Sequence, residues 1–136
     1  MSKKLNSNPL EIMNAEIDIT LAASVTTDGM DITIQLKREG NDLFRCVAFE
    51  WWISEDAEGE GLTADTYSGD VTTVTGTELV EHTSKKLFTA LTDVTGTFVA
   101  LAVDSANPAD QYIAVRHPGS GEVFVSEVSG TNWEGA

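Results

Sequence analysis

Alternation of apolar and polar residues with a period of two runs through most of this chain, and it constrains the fold more than any other feature. Ile17, Ile19, Leu21, Ala23 and Val25 alternate with Glu16, Asp18, Thr20, Ala22 and Ser24. Successive side chains of a strand point to opposite faces, so this is the pattern of a strand with one face buried. Ile32, Ile34 and Leu36 alternate in the same way with Asp31, Thr33, Gln35 and Lys37. Asp28-Gly29 separates the two runs and predicts a hairpin, since glycine tolerates the positive φ of a tight turn. The segment from Lys37 to Asp42, with Gly40-Asn41 inside it, predicts the next turn. Beyond it Val47, Phe49, Trp51 and Ile53 share one face, while Cys46, Ala48, Glu50 and Trp52 share the other.

A polar loop from Ser54 to about Gly61 carries Glu55, Asp56, Glu58 and Glu60. The Thr-, Gly- and Asp-rich stretch 63–77, with Val71 and Val74, predicts a short edge strand and turns. Leu87–Leu91, Phe98–Val103, Gln111–Arg116 and Glu122–Val128 predict four more strands. Glu78 to Leu91 is the one competitor for a helix, and its threonines and β-branched neighbours argue against it. Val74-Thr75-Gly76-Thr77 recurs as Val94-Thr95-Gly96-Thr97, which two similar turns explain better than duplication. Turn signals every ~8–15 residues without βα alternation predict an all-β chain, one antiparallel immunoglobulin-like β-sandwich of about seven or eight strands. Trp51 fits the tryptophan that packs between the two sheets in that architecture. The expected core contains Ile19, Leu21, Ile32, Ile34, Val47, Phe49, Trp51, Leu101 and Val115.

The first fifteen residues break the pattern, with two lysines, three asparagines and a proline. The expected division is an N-terminal arm (1–15), a sandwich domain (16–130) and a C-terminal tail (131–136). Leu5, Leu10, Ile12 and Met13 are too apolar for a solubilising tail. The arm is therefore expected to order on a partner, with Lys3 and Lys4 pairing to acids there; ordinary terminal fraying is the alternative. Trp52, facing away from the core, and Trp133, in the Gly130-rich tail, are candidate contact residues. For Trp52 the alternative is a place under a loop.

Charge narrows the partners. Twenty-two acids against eight lysines and arginines leave a net −14 over 136 residues. Such a chain is repelled by phosphate backbones and anionic lipid, so neither nucleic acid nor a membrane is an expected partner. No apolar run approaches the ~20 residues of a membrane-spanning helix. Lys3-Lys4 leads into Leu5-Asn6-Ser7-Asn8-Pro9 and not into a signal peptide's apolar block, so synthesis in the cytoplasm is expected. The single cysteine, Cys46, excludes an intrachain disulfide and a cysteine-based zinc site.

No enzyme constellation is evident, and no cofactor or metal is expected. Cys46 lies in a strand-like run and is expected to be an inert small hydrophobe. His82 and His117 have no third ligand at metal-like spacing and are expected to be solvated. Gly119-Ser120-Gly121 lacks the spacing of a nucleophile elbow and stands between two strands. Asp56, Glu58, Glu60 and Gly61 imitate a calcium loop, but Tyr67 occupies the position of its bidentate glutamate. This loop reads as a solvated, charged tip.

Several runs carry a resemblance: Ile32 to Lys37 followed by Gly40-Asn41-Asp42-Leu43, Trp52 to Ala57, and Gly61 to Ala64. Further markers are Phe88 to Asp93 with Gly96, and Gln111 to Val115 leading to Gly121 through Ser126. From about Ile32 to Gly130 the chain resembles the small immunoglobulin-like structural proteins encoded among the virion genes of tailed bacteriophages. The resemblance implies a non-enzymatic virion protein made in the host cytoplasm. A capsid decoration or cement protein bound to the major capsid protein or another virion protein, with possible self-association on the particle, is its leading form. A tail, neck or fibre component is the alternative within the class; a host-surface carbohydrate-binding module is the alternative outside it. The charge distribution fits decoration: residues 1–47 carry −2 and residues 48–136 carry −12, so a near-neutral end is available for docking.

Overall fold

A computed structural model describes residues 14–136. The predicted arm contacts Lys3, Lys4, Leu5, Leu10, Ile12 and Met13 lie outside the described residues. The alternating runs form strands β1 (Glu16–Ala23), β2 (Gly29–Arg38), β3 (Asn41–Asp42), β4 (Ala48–Ser54) and β5 (Val71–Thr75). They continue as β6 (Thr77–Thr83), β7 (Leu87–Leu91), β8 (Thr97–Val103), β9 (Tyr112–Arg116) and β10 (Val123–Val125). The first sheet runs β1-β2-β8-β5 with β3 beside β2, and the second runs β10-β9-β4-β7-β6. Every strand pair is antiparallel. The described residues thus form a two-sheet, all-β sandwich, as the period-two pattern predicts.

Its core lies between the sheets. Ile17, Leu21, Ile32, Ile34, Phe98 and Ala100 come from the first sheet, and Phe49, Trp51, Ile53, Phe88, Ile113 and Val115 from the second. Trp51 stacks on Phe88 with ring centroids 4.5 Å apart and reaches Phe98 of the facing sheet at 5.9 Å. Phe49 meets Phe98 edge-on at 5.4 Å. Aromatic side chains bury the largest area per residue, so this cluster dominates the apolar contribution to stability.

One side of the sandwich is closed by the chain itself. β5 and β6 run in opposite directions and meet at Gly76, whose φ of +88° reverses the chain as it passes from the first sheet into the second. A Cβ at Gly76 would stand 2.5 Å from the Leu91 carbonyl oxygen, so only glycine fits this corner. β6, the outer edge of the second sheet, is exposed on both faces and pairs with β7 through two register shifts. Bulges and its charged side chains, Glu78 and Glu81, blunt an otherwise open strand edge.

Several expectations change. Leu101 does not join the core: Phe98, Ala100 and Ala102 point inward, and half-buried Leu101 lies on the outer face. Both alternating sets of β8 are apolar, so periodicity alone could not choose between them. Asp28-Gly29 is not a two-residue hairpin. Residues 24–28 form the loop, Asp28 carries the positive φ of 60°, and Gly29 opens β2. Gly29 serves close approach, since a Cβ there would meet Leu101 Cδ1 and the Thr26 carbonyl oxygen, each at 2.9 Å. Within 77–91 the chain forms the β6–β7 hairpin, of which only β7 was expected as a strand.

Candidate functional site

The strand directions sort the connections into two poles. One holds the loops 24–28, 55–70, 84–86 and 104–111 and the C-terminal segment; the other holds the start of β1 and the loops 39–47, 92–96 and 117–122. Eleven of the 22 acids stand in the connections of the first pole, against Lys85 and Lys86. The second has four acids in its connections, and Lys37, Arg38, Arg45 and Arg116 lie in or beside them. The described chain begins at this second, less acidic pole. Ala15 is buried there, and its carbonyl oxygen lies 2.8 Å from His117 Nε2.

A concavity lies on the outer face of the second sheet. It is a groove of about 470 Å³, walled by Trp52, Leu62, Leu87, Arg116 and Val123 and rimmed by Glu50, Glu58 and Glu60. Local chemistry builds it. Trp52 follows core-facing Trp51 on β4 and so faces outward. The 55–61 loop folds back over it, and the indole N–H donates to the Gly59 carbonyl oxygen at 2.9 Å. Gly59 is buried at φ +74°, and a Cβ there would press on Ala114 and Val125 at 3.0 and 3.1 Å. The Arg116 guanidinium lies 5.3 Å above the indole centroid, a cation–π distance, and its Nε donates to Glu50 Oε1 at 3.2 Å.

The acidic loop is held by its own side chains. Asp56 Oδ1 accepts the Glu58 N–H at 3.0 Å, which keeps the Asp56 carboxyl below its ordinary value. The same neighbour raises Glu58, with the nearby charge of Glu60 adding to the shift. Glu55 accepts from the Thr63 hydroxyl at 2.6 Å and the Ala64 N–H at 3.0 Å, and these bonds lower it. Among the described residues, no group of three His, Cys, Asp or Glu side chains is placed to hold a metal ion.

The predicted contact aromatics are not exposed. Trp52 is 5% exposed, because the loop and Arg116 cover it. Trp133 is 1% exposed; its indole N–H donates to the Pro108 carbonyl oxygen at 2.7 Å, and its ring meets Tyr67 edge-on at 5.3 Å. The segment 131–136 is therefore pinned and not a loose tail; the Glu134 N–H also donates to the Gly29 carbonyl oxygen at 2.8 Å. His117 departs from its expected solvation and is buried. Cys46 departs in the other direction, exposed in the loop before β4 with its Sγ 3.1 Å from the Thr92 carbonyl oxygen.

Sequence reasoning also missed Tyr67 and Gln111, both buried at the acidic pole. Burial, with Asp104, Asp65 and Asp110 nearby, pushes the Tyr67 phenol far up. Gln111 Nε2 donates to Asp65 and Asp110 at 3.3 and 3.2 Å, bridging two carboxylates that would otherwise repel. Gln111 is in phase with Ile113 and Val115 on its predicted strand, but nothing in the sequence marks its amide, or Tyr67, for burial among carboxylates. No helix among the described residues is long and apolar enough to cross a membrane. No protein-family model matches the chain, and no curated protein matches it.

Proposed function

We propose that this chain is a non-enzymatic structural protein of a tailed-bacteriophage virion, and within that class a decoration protein that stands on the capsid by the pole where β1 begins. The observation that carries the reading is the division of charge between the poles. A shell-bound protein arrayed at high density needs one weakly charged end to dock, and a like-charged end facing solvent keeps neighbouring particles apart. Here the acids concentrate at the pole opposite the N-terminal side of the sandwich. The placement of Trp51 between the sheets supports the immunoglobulin-like comparison.

The test is the copy number of the chain in purified particles, by quantitative mass spectrometry against the major shell protein. Decoration requires hundreds of copies. A dozen or fewer would move the protein to the tail or neck, and absence from the particle would overturn the virion reading altogether.

A further inference from the structure

Two buried polar atoms at the acidic pole have no hydrogen-bond partner among the described residues, Gln111 Oε1 and the Tyr67 phenol oxygen. Gln111 is 0% exposed, and its amide reaches between two exposed carboxylates, Asp65 of the 55–70 loop and Asp110 of the 104–111 loop. We propose that Asp65, Asp110 and the Gln111 side-chain carbonyl bind a calcium ion that staples these two loops together. The inference does not depend on a virion role.

Three observations support it. The first is the amide itself. Its Nε2 stands 3.3 Å from Asp65 Oδ2 and 3.2 Å from Asp110 Oδ1, at the long end of the hydrogen-bond range, while its oxygen meets no donor. A half-turn about the last side-chain bond exchanges the amide's two polar atoms, which are close in size. Oε1 then stands where both carboxylates already converge. Oxygens from three residues so placed repel one another unless a cation lies among them. The second is charge. Lys85 and Lys86, the lysines of this pole, donate to the backbone carbonyls of Tyr67 and Ala64 at 3.1 and 3.3 Å. The salt bridges among the described residues, Lys37–Asp42 and Arg116–Glu50, involve neither Asp65 nor Asp110. Burial, and then the charges of Asp104, Asp65 and Asp110, hold the Tyr67 phenol up, so the same uncompensated field is felt beneath the surface.

The third is the donor set. Oxygen ligands without nitrogen or sulfur suit calcium and magnesium over the softer transition metals. Calcium takes roughly six to eight oxygens in irregular geometry, amide carbonyls and waters among them, whereas magnesium demands a near-ideal octahedron. Two exposed carboxylates on separate loops impose no octahedron and leave the outer side open to water. No three His, Cys, Asp or Glu side chains converge on a metal position among the described residues. Two carboxylates and a neutral amide therefore make a weak site, with a dissociation constant of ~10⁻⁴–10⁻³ M. The ion adds to the link that Ser68 already makes between the two loops, where its hydroxyl accepts the Ser105 N–H at 2.9 Å.

The test uses the full-length chain, ¹⁵N-labelled and stripped with a chelator, titrated with calcium chloride. The Gln111 side-chain amide and the Asp65 and Asp110 backbone amides should shift together and saturate by about 10 mM. Sodium chloride at matched ionic strength should not reproduce these shifts. Magnesium chloride should bind at least about tenfold more weakly. D65N/D110N should lose saturation over this range. Both residues are exposed, so an unchanged melting temperature shows that the variant folds. Q111E adds a third carboxylate; it should melt below wild type in chelator and bind calcium about tenfold more tightly. Shifts that are absent at about 10 mM calcium, equalled by sodium or magnesium, or retained in D65N/D110N overturn the proposal. So does a Gln111 side-chain amide that stays still while other amides move, which makes water the partner of Oε1. Q111E that binds no more tightly than wild type overturns it as well.

Discussion

His117 ties two segments 102 residues apart: its Nε2 donates to the Ala15 carbonyl oxygen at 2.8 Å. The tautomer follows from the other ring nitrogen. Nδ1 accepts the N–H groups of Gly119 and Ser120, both at 3.0 Å, so the proton sits on Nε2. One buried ring thus closes the β9–β10 turn and pins the chain at the entrance to β1. Replacing His117 by Ala strands two backbone donors and a carbonyl. The expected loss is ~1–3 kcal/mol for a buried group left unsatisfied. Urea denaturation measures it, and a midpoint equal to wild type would mean that the tether contributes nothing.

The two sides of β8 and the central tryptophan give a second prediction. Trp51→Ala removes a 1% exposed ring stacked on Phe88 and should cost ~3–5 kcal/mol. Leu101→Ala on the outer face, where less area is buried, should cost under about 1.5 kcal/mol. Equal losses in thermal or chemical denaturation would contradict the assigned faces.

The bend at Gly76 is a third. Gly76→Ala forces a Cβ against the Leu91 carbonyl oxygen at a backbone φ of +88°, whereas Gly40, at φ +83°, faces open space. Gly40→Ala should therefore lose only the conformational preference of glycine, about 1 kcal/mol. Gly76→Ala should lose clearly more in the same denaturation assay, and a smaller loss at Gly76 would remove the steric account of the corner.

Acid should loosen two turns. The Asp93 carboxylate accepts from the Thr95 hydroxyl at 2.6 Å, the Thr95 N–H at 2.8 Å and the Thr97 N–H at 3.1 Å, which lowers it from its ordinary 3.8. Glu55 is lowered from 4.5 by its bonds to Thr63 and Ala64. A carboxyl lowered in the folded state contributes stability that is present above its unfolded value and lost as pH falls through its folded one. Melting temperatures should fall on acidification below about pH 4. In Asp93→Asn the part of that loss due to Asp93 should disappear, and an unchanged acid slope would show that these bonds do not couple to folding.

Much of the sandwich is legible in the chain. In β1, β2 and β4 a charged or hydroxyl side chain stands at most alternate positions, so one face must meet water and the other, with Ile32, Ile34, Phe49 and Trp51, must be covered. Gly40-Asn41 likewise marks the β2–β3 turn, where Glu39 and Gly40 take φ values of 54° and 83°. The groove is less legible. Trp52 and the acids of the 55–61 loop stand out in the sequence, but nothing there shows the loop folding back over the ring.

Periodicity says which residues share a face and nothing about which face a second layer will cover. In β8 both faces are apolar, so the inward turn of Ala100 in place of Leu101 follows from the facing sheet with its Trp51 and Phe88. In β6, exposed throughout, pairing to β7 and the corner at Gly76 hold a strand that its own pattern barely specifies. The buried states of His117, Trp133 and Tyr67 depend on partners 102, 25 and 66 residues away: Ala15, Pro108 and Trp133. A strand's alternation is a local property of the chain. Burial is a property of whatever packs against it, and here that partner comes from the far end of the fold.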